Sequence, residues 1–529
     1  MTDVNNQISY VPFASTTVRM WQGGANQLSF DAAGIQAKLN DVTRPCYVVG
    51  SANSQIGVAQ GGQMEETHNG QALTVLGTAP ALVAEQLGDP AFKAQHGLTY
   101  AYSTGAMANG IASEELVIAV GKAGMLGSFG AAGLVPSRVE EAIHNIQAAL
   151  PNGPYAFNLI HSPAEPALEK GAVDLYLKYA VRTVEASAFL RLTPHIVRYR
   201  VNGLMRGPQG EVVIQNKVLA KISRREVAIQ FMRPAPEKML ADLVAQGQIT
   251  ADQAEMARQV PMADDITVEA DSGGHTDNRP LVCLLPSIVA LRDEVQAEYK
   301  YAQPVRVGAA GGISTPESAL AAFSMGAAYI VTGSVNQACL ESGTCDHVRK
   351  LLANAGMADI MMAPASDMFE MGVKLQVLKR GTMFPMRAQK LYDFYSNYNS
   401  WEEIPQAQRE KLEKSTFKRS FEEIWQSCIE FFEARDPHQI ERAKGDSKRK
   451  MALVFRWYLG LSSNWANAGM TGREADYQIW CGPSMGAFND WVKGSYLEVP
   501  QNRFAADVGR QILRGAAFQY RIQALQNQG

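Results

Sequence analysis

Between about residue 98 and residue 355, short β-prone runs ending in Gly, Ser or Asn alternate with longer stretches of helical spacing, which is the pattern of parallel βαβ units. The runs fall at residues 98–103, 126–130, 155–160, 183–187, 218–222, 266–270, 305–309 and 329–332. Eight such units are what it takes to close a (β/α) barrel, so the expected fold class is α/β, a (β/α)8 TIM barrel. Helices are expected in the gaps, at 113–122, 137–150, 167–180, 194–201, 225–232, 281–299, 316–325 and 346–355. Thr315-Pro316-Glu317 carries a start signal, with a threonine to cap the orphan amides and a proline in the first turn.

At 529 residues the chain is too long for one ordinary core, and two or three structural units are expected. Residues 1–97, with Gly61-Gly62-Gln63 and the β-like Cys46-Tyr47-Val48-Val49, read as a small β-containing N-terminal accessory unit. The barrel takes 98–384, and 385–529 reads as a C-terminal helical region rich in aromatic residues, as in Leu391-Tyr392-Asp393-Phe394-Tyr395. One gap in the barrel is oversized: 233–264, with Pro234 and Pro236 ahead of a charged amphipathic stretch, reads as a helical rim insertion. Such an insertion either shapes substrate access or is a plain surface excursion.

A formal net charge of −3 argues against a global attraction to nucleic acid or to an acidic membrane. Six cysteines without a CxxC pair or a histidine spacing suited to zinc fit a reduced, cytoplasmic protein without a metal site. Residues 1–6 show no basic patch leading into an apolar run, and no stretch reaches the length of a membrane span, so neither export nor membrane insertion is expected.

In a barrel of this kind ligands bind at the C-terminal ends of the strands, and the residues there are suggestive. The sixth run ends in Glu269-Ala270-Asp271-Ser272-Gly273-Gly274-His275, where two glycines permit close backbone approach and His275 would turn toward a pocket. The seventh and eighth runs lead into Ala310-Gly311-Gly312-Ile313 and Thr332-Gly333-Ser334, small-residue turns whose amides can grip a phosphate. The first ends in Thr104-Gly105-Ala106-Met107, with Met107 able to lie on a flat ring or simply to fill core. Asn158 is a polar group in an apolar strand and needs a partner, which a ligand edge would supply. Lys221 ends another apolar strand and meets either an electron-rich ligand atom or an acid such as Glu185. Together these positions suit a ring-shaped cofactor with a phosphate tail, and flavin mononucleotide (FMN) fits.

The ordered set Gly105-Ala106-Met107, Asn158, Lys221, Glu269 to His275, Ala310-Gly311-Gly312 and Thr332-Gly333-Ser334 resembles the FMN-dependent nitronate monooxygenase and enoyl-acyl carrier protein reductase superfamily. The accessory unit, the insertion, residues 372–385 and the helical tail extend this to a resemblance to the trans-acting enoyl reductase subunit of polyunsaturated fatty acid and polyketide synthases. The superfamily commonly has Glu-Ala-Gly-Gly-His where this chain has Asp271-Ser272 ahead of its glycines, which puts a role for the Asp271 carboxylate in doubt.

The resemblance implies a reductase that takes hydride from NADPH or NADH through FMN to an enoyl thioester on an acyl carrier protein. It implies a cofactor held by Gly105, Ala106, Met107, Asn158, Lys221, Glu269, Gly273, Gly274, Ala310, Gly311, Gly312, Thr332, Gly333 and Ser334. His275 is the expected catalytic residue, giving up a proton or only orienting the substrate. Two other readings stand beside it: a nitronate monooxygenase-type oxidase that needs no nicotinamide, and a non-catalytic synthase component. The basic run 444–450 either meets an acidic carrier protein or is a solvated charge run. Oligomeric state, with a homodimer as one option, is left open.

Overall fold

The protein is described by a computed structural model in which residues 19–65, 73–161 and 166–528 are defined. The reading of residues 1–6 lies outside them. The chain divides into two compact units, one of residues 1–84 with 514–529 and one of residues 85–513.

In the larger unit eight parallel strands close into a barrel. They are β1 (Tyr102–Thr104), β2 (Leu126–Phe129), β3 (Ala156–Ile160), β4 (Thr183–Ser187), β5 (Lys217–Ile222), β6 (Asp265–Glu269), β7 (Arg306–Ala310) and β8 (Ile330–Thr332). Closure comes where β8 pairs with β1 in the register Thr332↔Thr104. Every residue of β1, β2, β4, β7 and β8 is buried, as expected of strands covered on both faces, and this is why they read as continuous runs rather than alternating ones. All eight lie where the βα rhythm puts them, within a few residues at their ends.

The barrel's N-terminal end is plugged by the helix Pro90–His96, capped by Asp89 through the Ala91 amide at 2.7 Å. Its Phe92 stacks on Tyr329 with ring centroids 4.0 Å apart and joins a buried cluster with Leu126, Leu219 and Val331. His96 and Arg306 both hold the buried Asp265, at 2.8 and 2.7 Å. Fully burying an aromatic or aliphatic side chain here is worth roughly 1.5–3 kcal/mol.

The oversized gap forms two helices, Glu237–Ala245 and Ala251–Ala257, that pack on the helix Pro194–Asn202. A hairpin not foreseen in the sequence, Leu204–Arg206 with Val212–Ile214, lies beside the second of them. Of the two readings of this insertion, its place in the chain favours the surface excursion over substrate access. It follows the helix Arg225–Met232 and leads into β6, and a helix-to-strand link lies at the N-terminal end of a barrel, away from the strand C-termini. Arg200 fixes it there by donating to Asp264 at 2.6 Å and to the Pro261 carbonyl at 2.9 Å.

The C-terminal segment supplies the elements at the mouth. The helix Ser447–Ala468 buries Met451, Leu453, Phe455, Tyr458 and Leu459, and Asn109 of the loop after β1 donates to its Ser463 at 3.0 Å. Trp401 stacks on Phe421 at 4.5 Å, and Tyr458 donates to the buried Asp476 at 2.9 Å. Among the described residues no helix is long and apolar enough to cross a membrane, and all six cysteines are free thiols.

In the smaller unit six strands form a sheet in the order Leu28–Ser29, Ile56–Gln60, Cys46–Gly50, Leu73–Ala79, Met20–Gln22, Gln63–Glu65. Trp21, Val49 and Ala59 form its core. The buried Arg521 closes the end of the helix Ala32–Asn40 by donating to the carbonyls of Leu39 and Asp41 at 3.2 and 2.6 Å.

Candidate active site

The C-terminal ends of the strands bring the expected residues into one connected ring. Gly105, just past β1, donates its amide to the Thr332 carbonyl of β8 at 3.0 Å. The next amide, of Ala106, reaches across the mouth to both oxygens of Glu185 at 3.2 and 3.3 Å. Asn158 on β3 donates to the Glu185 carbonyl at 3.1 Å and to Ser187 at 2.9 Å, so its amide hydrogens are taken up by β4. Met107 is half-buried on the same loop.

Lys221 of β5 stands between two acids, with Glu269 at 3.1 Å and Glu185 at 4.0 Å. Of the two alternatives for Lys221, a ligand atom or an acid such as Glu185, the structure shows pairing with acids. Burial disfavours the ammonium, but the two carboxylates outweigh it and raise the Lys221 pKa. Burial raises the Glu185 pKa against the pull of Lys221.

Beyond Glu269 the chain bends sharply. Gly311, at φ +81°, belongs to the turn after β7 and lies against the Ala270 backbone, where a Cβ would stand 2.6 Å from the Ala270 carbonyl carbon. The Ala270 amide donates to the Ala310 carbonyl at 2.9 Å. By contrast, nothing lies within 4 Å of the place a Cβ would take at Gly312 or Gly333, so the turns after β7 and β8 face open space. Thr104 Oγ1 and Ser314 Oγ are buried there without a hydrogen-bond partner.

His275 stands at the mouth, within electrostatic reach of Glu269 and Lys221. Gly274 and His275 form a two-residue strand paired with Lys374–Leu378, itself paired with Ile360–Pro364, and the His275 side chain is 45% exposed. Its Nε2 lies 3.1 Å from Asp367 Oδ1. Desolvation works to lower the His275 pKa, yet the Asp367 carboxylate outweighs it and the net direction is upward.

Several residues without a local sequence signal complete the loop. Gln376 donates to Asp271 at 2.9 Å and to the Ser272 carbonyl at 2.7 Å, and Asn278 donates to Asp271 at 2.8 Å, which gives the Asp271 side chain a structural role. Ser223 and Arg224, after β5, clasp Asp277 at 2.6 and 2.9 Å. The hydrogen bond from Arg224 is the main cause that pushes the Asp277 pKa down to about 2. From the C-terminal segment, Trp480 bridges to Val377 and the Gly482 amide donates to Ser334 at 3.0 Å. Asp367, Gln376 and Gly482 are distant in sequence from the strands they serve, and no spacing marks them. The basic run is taken up mostly at home: Lys450 pairs with Glu422 at 3.2 Å, and Lys448 sits over the Tyr395 ring.

Residues 93–391 match the family profile described as nitronate monooxygenase. Residues 21–81 match the fatty acid synthase subunit PfaD N-terminal domain, and residues 398–477 match the inserted helical domain of acyl-carrier-protein S-malonyltransferase. The chain is 56% identical over 448 residues to a polyunsaturated fatty acid synthase subunit of Thraustochytrium sp., covering 83% of this chain and 30% of that one. It is 48% identical over 437 residues to the polyketide biosynthesis protein PksE of Bacillus subtilis, covering 82% of this chain and 57% of that one. It thus spans less than two thirds of either relative. Among solved structures, the enoyl reductase domain of MlnA from the macrolactin biosynthesis cluster of Bacillus amyloliquefaciens matches with 42% identity and a TM-score of 0.80, over 83% of this chain and 99% of that domain. With the barrel and the N-terminal sheet unit both matched, the chain belongs to the nitronate monooxygenase family, with relatives among the subunits of polyunsaturated fatty acid synthases and the proteins of polyketide biosynthesis.

Proposed function

We propose that the protein is an FMN-dependent, NAD(P)H-using enoyl reductase that acts in trans on enoyl thioesters of an acyl carrier protein during polyunsaturated fatty acid or polyketide assembly. The observation that carries this reading is the near-complete coverage of an enoyl reductase domain at 42% identity, on a barrel whose mouth has open glycine backbone at β7 and β8.

The residues present suit the cofactor. Open space at Gly312 and Gly333, with two unpartnered buried hydroxyls nearby, is what a phosphate tail requires. Ala310, Gly311, Gly312, Thr332, Gly333 and Ser334 would hold the phosphate. Gly105, Ala106 and Met107 would lie against the ring, with Asn158, Lys221 and Glu269 toward its edge and Gly273 and Gly274 leaving it room. When bound, FMN supplies hydride transfer from NAD(P)H to the β-carbon of the 2-enoyl thioester.

The chain's own residues supply the proton chemistry. Asp367 keeps the His275 imidazole protonated to higher pH than a free histidine and takes its Nε2–H, so that Nδ1–H would be offered to the thioester oxygen or the α-carbon. Lys221, paired with Glu185 and Glu269, places a cation at the same mouth.

The match to nitronate monooxygenase favours a second reading, an oxidase on the same barrel. Paired assays decide between them. Consumption of NADPH that depends on a 2-enoyl thioester is expected; rapid oxygen uptake with a nitroalkane and no nicotinamide oxidation would favour the oxidase. Purified protein that cannot take up FMN would instead point to a synthase component without catalysis.

A further inference from the structure

We infer that Ile479–Gly482, a segment beyond the barrel, is a positioning strap that readies Ser334 to donate to the cofactor's phosphate and so couples the C-terminal helices to cofactor binding. The inference rests on the flavin reading above.

The strap is tied at each of its residues. The Ile479 carbonyl accepts the Leu378 amide at 2.9 Å, Trp480 bridges to Val377, the Cys481 amide donates to the Gln376 carbonyl at 3.4 Å, and the Gly482 amide donates to Ser334 Oγ at 3.0 Å. It also lies against the turn after β6. A Cβ on Gly273 would stand 2.9 Å from the Cys481 nitrogen, and one on Gly482 would stand 2.9 Å from the Gly273 nitrogen, so the two backbones touch because both residues are glycine. Upstream, Gln478 donates its backbone amide to Ser462 of the helix Ser447–Ala468 at 3.1 Å. One short segment therefore joins the turns after β6 and β8, which flank the open turn after β7, to the longest helix over the mouth.

The bond to Ser334 has a chemical consequence. A hydroxyl has one hydrogen to give. Because Ser334 Oγ accepts from Gly482, that hydrogen is left over, and among the described residues no protein group accepts it. A phosphate oxygen beside Gly333 would. Hydrogen bonds to a charged group are the stronger class, and losing one such donor weakens binding by about tenfold.

The test titrates full-length protein freed of flavin with FMN and with riboflavin, which lacks the phosphate, following fluorescence. For Ser334→Ala, FMN affinity is expected to fall about tenfold while riboflavin affinity stays unchanged; for Gly482→Ala, whose Cβ also presses on Gly273, FMN is expected to lose about tenfold more than riboflavin; and the FMN-specific loss in the double variant is expected to be no larger than in Ser334→Ala alone. Losses that multiply in the double variant, an equal loss for riboflavin, or wild-type FMN affinity in Gly482→Ala would each overturn the strap. Hydrogen exchange on the unsubstituted protein gives a second readout independent of folding defects: the amides of residues 480–482 should gain protection with FMN and not with riboflavin, and exchange indifferent to FMN would count against the strap. Unsubstituted protein that binds neither ligand would remove the flavin reading, and the strap with it; FMN binding with multiplying losses removes the strap alone.

Discussion

His275 and Asp367 set the pH behaviour of the mouth. A histidine whose pKa is raised by a carboxylate partner contributes its ion pair fully below the ordinary value of about 6.5 and loses it as pH rises through the higher folded value. Turnover that needs the protonated imidazole should therefore fall as pH rises through a value above that of a free histidine. In Asp367→Asn the same limb should move to lower pH, measured as log kcat against pH, and an unmoved limb would show that Asp367 does not tune His275. His275→Ala should keep flavin bound yet slow thioester reduction by about a hundredfold, the lower end for a lost general acid; unchanged turnover removes His275 from the chemistry. Lys221 gives a different prediction. Replacing it with Met strands Glu185 and Glu269, which should cost about 3 kcal/mol in chemical denaturation, and adding Glu185→Gln and Glu269→Gln should recover most of it. No loss in the single variant would mean that the acids are neutral without Lys221. At this scale the sequence located Lys221, Glu269 and the glycines, because strand ends are legible from β-periodicity. It did not show Asp367 as the partner of His275, because that contact depends on pairing with a strand a hundred residues later.

At the scale of elements, the strands and barrel helices were readable because each carries its own signal: a buried apolar run, a cap such as Thr315, a proline in the first turn. The loops were less so. Residues 233–264 were correctly read as a helical insertion, but the end of the barrel that it serves follows from connectivity, not composition. Reversing the exposed pair Arg258 and Glu237, 2.9 Å apart on that insertion, should leave kcat/KM unchanged, and a large loss would return it to the substrate path. The loops that matter are held under tension. Asn109, Ala188 and Asn278 take positive φ on the loops after β1, β4 and β6, an arrangement that persists only where neighbours enforce it. For the last of these the enforcing clasp includes Asp277. Asp277→Asn should cost on the order of 1 kcal/mol and make residues 270–280 more open to limited proteolysis. With the Asp277 pKa near 2, the clasp itself should not titrate across the neutral range.

The whole molecule combines a (β/α)8 barrel with two additions of different kinds. The N-terminal sheet shares its compact unit with residues 514–529, an association that no local pattern announces. The helices of 398–477 belong to the barrel's unit, and through Ser463 and the strap they reach the mouth itself. The central claim, that the mouth carries FMN and passes hydride to an enoyl thioester, is tested most directly by an anaerobic absorbance trace of the purified protein. The account predicts a flavin spectrum that bleaches with NAD(P)H and returns on adding a 2-enoyl thioester; a protein without flavin, or a reduced flavin that the thioester leaves bleached, would contradict it.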